Sequence, residues 1–146
     1  MVYGQPNNAY ELFGVTFAES RWKTPHRSGF KLHVTVATEH HDALARAVLP
    51  SLLALPTHHK VVITWRYADL NTGDQAGKFI TIYAGPSSAA KPIVDRIDPI
   101  LAGLRRQGVR PGPWPMSRQS HHTEPEIPIG QSGMISCLWL DNLLRD

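Results

Sequence analysis

A chain of 146 residues with 42% hydrophobic and 18% charged residues can build one domain with its own core and is too apolar for wholesale disorder. No stretch approaches the roughly 18 apolar residues of a membrane-spanning helix. Met1 to Tyr10 lacks the apolar centre of a secretory signal, and the single cysteine, Cys137, excludes an internal disulfide and a cysteine-based zinc cluster. The net charge of +3 is too small to demand nucleic acid, but it leaves room for a local basic pocket that takes an anion.

Residues 1–28 carry little pattern; 11–18 (ELFGVTFA) read as a short strand or a helical turn, and 23–29 as a loop from their Pro, Ser and Gly. The first clear strand is Lys31 to Ala37, where Leu32, Val34 and Val36 alternate with Lys31, His33 and Thr35. One face suits a core, and the other sets a lysine beside a histidine. Thr38 reads as a helix N-cap with Glu39 in the first turn. Leu44, Ala47, Val48, Ser51, Leu52 and Leu55 then predict a helix over about 39–55, kinked or split at Pro50.

Lys60 to Tyr67 (KVVITWRY) is β-branched and aromatic and predicts a second strand, with Lys60, Val62, Thr64 and Arg66 on one face. Turn residues fill 68–77, and Lys78 to Ala84 (KFITIYA) predicts a third strand, antiparallel to the second. Gly85–Ser88 ends it. Ile93, Ile97, Ile100, Leu101 and Leu104 mark one stripe of a second helix, with a bend expected at Pro99 and a stop at Arg105, Arg106 and Gly108. Residues 109–130 are a proline-rich loop, expected to cover a substrate, and Met134 to Leu140 is the last strand. The order strand-helix-strand-strand-helix-strand predicts a single α+β domain with a mainly antiparallel sheet and two helices on one face.

On the sheet face away from the helices, Lys31 and His33 stand two residues apart, with Lys60, Lys78 and Tyr83 available from the neighbouring strands. Clustered cations favour a bound anion such as phosphate, and like charges lower a lysine's pKa. Such a lysine serves as a general base and a neighbouring histidine as a general acid. The bland alternative is a set of solvated strand-edge charges.

The strings Gly29-Phe30-Lys31-Leu32-His33-Val34-Thr35, Lys60 and Gly77-Lys78-Phe79-Ile80-Thr81-Ile82-Tyr83, followed by Gly112-Pro113, resemble the phosphoserine/phosphothreonine lyase domain. That domain is found in class III and IV lanthipeptide synthetases and in bacterial type III effector phosphothreonine lyases. The likeness spans about residues 29–136 and is nearer to the synthetase branch. It implies β-elimination of phosphate from a phosphopeptide to leave a dehydroamino acid, with no cofactor and no metal. By the same resemblance Lys60 is the base, His33 the acid and Lys31 an electrostatic stabiliser, while Lys78 and Tyr83 line the pocket. The effectors clamp phosphate with an arginine near the C-terminal strand, where this chain reads Ser136-Cys137-Leu138-Trp139. Arg118 or Arg66 is the expected substitute, since a guanidinium fork suits phosphate. The implied partners are a phosphorylated peptide or protein and a separate kinase, with neither nucleic acid nor membrane, in the cytoplasm or after delivery as an effector. The alternative is a non-catalytic phosphopeptide- or leader-peptide-binding module.

Other signals are weaker. A zinc site from His121, His122, Glu124 and Glu126 lacks a rigid scaffold, and a solvated loop is the simpler reading. His58 and His59 read as loop residues, with His59 near enough to Lys60 to tune it. Cys137 reads as a small buried hydrophobe, and the four tryptophans as core or pocket walls. The glycines at 73 and 77 lack phosphate-loop spacing. Arg21-Trp22-Lys23 and Trp65-Arg66-Tyr67 have the composition of a base-stacking patch without the charge to support one.

Overall fold

The computed structural model describes residues 1–64, 75–115 and 126–144. Its strands are β1 (Tyr10–Phe13), β2 (Phe17–Ser20), β3 (Gly29–Val34), β4 (His59–Val62), β5 (Ile80–Gly85), β6 (Ile127–Pro128) and β7 (Ile135–Leu140). Among the described residues the α-helices are α1 (His41–Ala54) and α2 (Ser87–Arg106). All seven strands join one antiparallel sheet in the order β1-β2-β4-β5-β3-β7-β6, giving the predicted α+β architecture. Among the described residues no helix is long and apolar enough to cross a membrane.

Alternation along β3 decides what each face becomes. Leu32 lies opposite Ile82 and Val34 opposite Ile80, and Val61 of β4 meets Ile80 from the other side. All five are fully buried, together with Leu44, Val48 and Leu52 of α1 and Ile97 and Leu101 of α2. Each such side chain contributes about 1.5–3 kcal/mol on burial, so this face fixes the sheet register against the helices. Lys31 and His33 are thereby held on the opposite face.

Neither helix is split at its prolines. Pro50 lies within α1, and Pro92 and Pro99 within α2. All three are exposed, so the carbonyls they leave without an amide partner, four residues earlier, open to water. Thr38 is not a helix cap either: it opens a short 3-10 turn, Thr38–His40, that feeds α1 without a side-chain cap bond.

The sheet also exceeds its prediction. The β1–β2 hairpin settles the ambiguous 11–18 segment as strand, and β6 emerges from the end of the proline-rich loop. The first predicted strand ends early as a ladder, but the chain stays extended: Thr35 N–H donates to Met134 O and Ala37 N–H to Arg110 O. Of the tryptophans, Trp22, Trp114 and Trp139 are each more than 40% exposed, which corrects the core assignment; Trp65 lies outside the described residues.

Asp98 of α2 ties the β6–β7 turn to the helix layer. Its carboxylate accepts from the amides of Gln131 at 2.6 Å and Ser132 at 3.0 Å. Burial opposes its ionisation, but those bonds hold its pKa below the usual value. A depressed carboxylate pKa means stability present above the unfolded pKa and lost as pH falls through the folded one. Asp98→Ala is expected to cost about 1–3 kcal/mol at neutral pH. Urea unfolding of both proteins along an acid series should show that gap closing as pH falls.

Candidate active site

Directly opposed residues of an antiparallel ladder share a face, so registers alone place the site. Glu19 pairs with Lys60, Lys60 with Thr81, Thr81 with His33, and His33 with Ser136. These five residues form one row across β2, β4, β5, β3 and β7. Lys60 and His33 are two strands apart, about 10 Å between backbones, a span that two long side chains and a small substrate group can bridge. In the next row Tyr83 pairs with Lys31 and Lys31 with Leu138. Lys31, His33, Thr81, Tyr83 and Ser136 are all buried, and Lys60 is half-buried.

The lysines rest on aromatic rings. Lys60 Nζ lies 4.7 Å from the centre of the Phe17 ring, and Lys31 Nζ 5.5 Å from that of Tyr83. Lys78, in the turn before β5, is also buried. Its backbone follows Gly77, whose φ of +74° is a left-handed conformation that glycine adopts freely.

His33 does not face the site alone. Its Nδ1 lies 2.8 Å from Oε1 of Glu126, and the Ser136 hydroxyl donates to that same oxygen at 2.8 Å. All three residues are more than 90% buried. Burial pushes the His33 pKa down to about 4; Glu126 opposes the shift, and the charges of Lys31 and Lys78 add to it. Burial also works against the Glu126 charge, but the bonds from His33 and Ser136 and the charge of Lys78 hold its carboxyl below the usual range. Near neutral pH a neutral ring therefore donates Nδ1–H to an ionised carboxylate and turns an unprotonated Nε2 away from it.

A second network borders Lys60. His58 Nε2 lies 3.1 Å from Glu19 Oε2, Lys23 Nζ donates to the same oxygen at 2.6 Å, and Thr24 N–H reaches His58 Nδ1 at 3.3 Å. Burial opposes the Glu19 charge, yet Lys23 and His58 hold its pKa below the usual carboxylate value. The His58 ring lies 4.6 Å from that of Tyr83, and both line a cleft of about 140 Å³ with Trp22, Thr24 and Pro56. His58 lies in a loop, as read, and its ring reaches the site face through Tyr83 and Glu19. His59 opens β4 and is turned the other way, opposite Ile82. It bonds Tyr10 Oη and Thr57 on the core side, so it is not the neighbour that tunes Lys60.

The structure brings Lys31, His33, Lys60, Lys78 and Tyr83 to one face. Arg66 and Arg118 lie outside the described residues, as do His121, His122 and Glu124 of the considered zinc site. Glu126, considered only as a metal ligand, instead holds His33. Nothing local in the sequence marks that role, because 93 residues separate the pair. Cys137 faces the helices in register with Leu32, a small buried hydrophobe as read. Part of the proline-rich loop closes over the strand ends: Thr35 Oγ1 donates to Pro113 O at 2.7 Å, over the glycine at 112 that lets the two backbones approach.

Comparison with known proteins adds to this geometry. A family model described as the RamC N-terminal domain matches residues 13–110, well over half of the chain. No curated protein matches the sequence. Among solved structures, the type III effector and phosphothreonine lyase OspF from Shigella flexneri superposes with a TM-score of 0.63 at 15% identity, covering 93% of this chain and 72% of its own. The phosphothreonine lyase effector VirA (SpvC) of Chromobacterium violaceum gives 0.63 at 19% identity, covering 98% of this chain and 69% of its own. The Salmonella plasmid virulence C protein gives 0.60 at 16%, covering 91% and 66%. At such identities the likeness is one of fold.

Proposed function

The chain belongs to the RamC N-terminal-domain family, and from its sheet-face geometry we propose that it is a phosphothreonine/phosphoserine lyase acting on a phosphorylated peptide or protein. The observation that carries this reading is the row in which Lys60 and His33 flank Thr81 on one buried face. The phosphothreonine lyase effectors of the same fold support it.

The chemistry follows from the residues. The Cα proton beside an amide carbonyl is a very weak acid, so its removal needs a positioned base. In this proposal neutral Lys60 takes that proton, the electron pair forms the Cα=Cβ bond, and the Cβ–O bond to phosphate breaks. The bridging oxygen leaves with a proton from His33 Nε2, giving inorganic phosphate and a dehydroamino acid. Lys31 and Lys78 offset the phosphate charge and Tyr83 walls the pocket, an electrostatic role set by pre-placed groups. His33 is neutral in the empty site, and an arriving phosphate dianion reverses the local charge and favours its protonation.

No step in this scheme requires a redox cofactor. The substrate is supplied by a kinase, because only a phosphorylated side chain offers the leaving group. Incubating the protein with a phosphothreonine peptide is expected to release phosphate and leave a peptide one water lighter than its dephosphorylated form. A dephosphorylated threonine peptide would instead mean hydrolysis, and binding without turnover would favour the non-catalytic module.

A further inference from the structure

We propose that Glu126 is a positioning residue for the acid step: it holds His33 in the tautomer that carries hydrogen on Nδ1, so that Nε2 is the atom presented to the leaving phosphate. The inference deepens the lyase reading and rests on it.

A neutral imidazole has one donor and one acceptor nitrogen, and the partner of one decides the chemistry of the other. Here the partner is an anion buried to 8% exposure, 2.8 Å from Nδ1. A carboxylate can only accept, so the short contact requires hydrogen on Nδ1 and leaves Nε2 free to take up and return a proton. Ser136 donates to the same oxygen, and it stands directly opposite His33 in the β3–β7 register. One carboxylate oxygen is thus held by two donors, from adjacent strands, and the imidazole is fixed by the carboxylate.

The place of Glu126 in the chain makes this possible. It precedes β6 by one residue and shares a face with Pro128, which pairs with Ser136. The return of β6 along β7 is what carries a residue from the end of the proline-rich segment to the centre of the sheet face. A simple structural staple would need only one hydrogen bond to a strand and no ionised group at this depth. Burial disfavours the cationic form of His33, as do the charges of Lys31 and Lys78; Glu126 is the group that favours it. Protonation of His33 during the reaction therefore depends on this carboxylate, with Thr81 and Ser136 as the uncharged ladder neighbours.

The first test reads the tautomer and needs no turnover. Long-range proton–nitrogen spectra of histidine-labelled protein, with His33→Gln used to assign the signals, are expected to show His33 with hydrogen on Nδ1 near neutral pH. Hydrogen on Nε2 would overturn the proposal whether or not the protein is a lyase. The second test is kinetic, on a phosphothreonine peptide. Glu126→Gln keeps size while removing charge and is expected to lower kcat by about 10²- to 10⁴-fold with KM within a few-fold. The basic limb of the kcat–pH profile should move to lower pH, because an acid that has lost its stabilising anion gives up its proton sooner. Glu126→Asp should recover part of the rate. Ser136→Ala, which leaves the carboxylate in place, should give a smaller loss and also serves if Glu126→Gln does not fold. An active wild type with unchanged kcat and profile in both Glu126→Gln and Ser136→Ala would overturn the inference while leaving the lyase reading intact. A wild type inert toward phosphopeptides, with the Nδ1–H tautomer present, would overturn the lyase reading and with it the catalytic half of the inference.

Discussion

Lys60→Met is expected to abolish elimination, with a fall of about 10²- to 10⁴-fold in the rate of phosphate release, while the fold and the binding of phosphopeptide persist. Methionine retains most of the lysine stem and so keeps the packing over Phe17, where Lys60 Nζ sits 4.7 Å from the ring centre. What it lacks is the amine. No other lysine shares the row that runs from Glu19 through Thr81 to Ser136, so Lys31 and Lys78 are not in register to take over proton abstraction. Initial rates together with calorimetric titration of the same peptide separate the two effects. Retained turnover in Lys60→Met would remove Lys60 from the base role and point to Lys31 or Lys78.

Gly77→Val is expected to cost roughly 2–5 kcal/mol of stability, as the sum of a left-handed backbone penalty of about 1–2 and overpacking of about 1–3. Gly77 has φ +74°, and a Cβ there would fall against the Pro113 carbonyl and 2.7 Å from Pro115 N. The turn at Gly77 and the 109–115 segment pack against each other, and Lys78 begins where the turn ends. The same substitution should therefore weaken phosphopeptide binding as well. Gly103→Ala provides the contrast: it lies within α2, a Cβ there meets nothing nearer than Arg106 Nη2 at 3.6 Å, and a gain of about 0.5–1 kcal/mol is expected. Urea unfolding midpoints of the three proteins test both statements; a Gly77→Val protein as stable as wild type would show that the turn tolerates a left-handed β-branched residue.

The residues that proved legible in sequence are those whose signal is periodic. Lys31, Leu32, His33 and Val34 alternate strictly, and both the strand and its two faces follow from that alternation alone. Ile93, Ile97 and Leu101 mark the buried stripe of α2 in the same way. The β1–β2 hairpin was ambiguous because Leu12 and Phe13 are consecutive, apolar and both exposed, which breaks a two-residue period. That Pro50 does not split α1 is not legible from periodicity, which does not say that Pro50, Pro92 and Pro99 are all exposed, where a missing amide costs least. His58 and Glu126 were illegible for a further reason: each acquires its role from a partner far along the chain, Glu19 in one case and His33 in the other. The family resemblance points to Lys31, His33 and Lys60, while the carboxylates beside them, Glu19 and Glu126, emerge only from the β2–β4 register and the hydrogen bonds to His33 and Ser136.

If Lys60 removes the Cα proton, an isotope placed on that carbon must be lost as phosphate leaves. A phosphothreonine peptide deuterated at Cα, incubated with the protein and weighed by mass spectrometry, is expected to yield a dehydrated product that has lost the deuterium to solvent. A product that keeps the deuterium and carries a threonine hydroxyl would contradict the account, because phosphate would then have left without the Cα–H bond being broken.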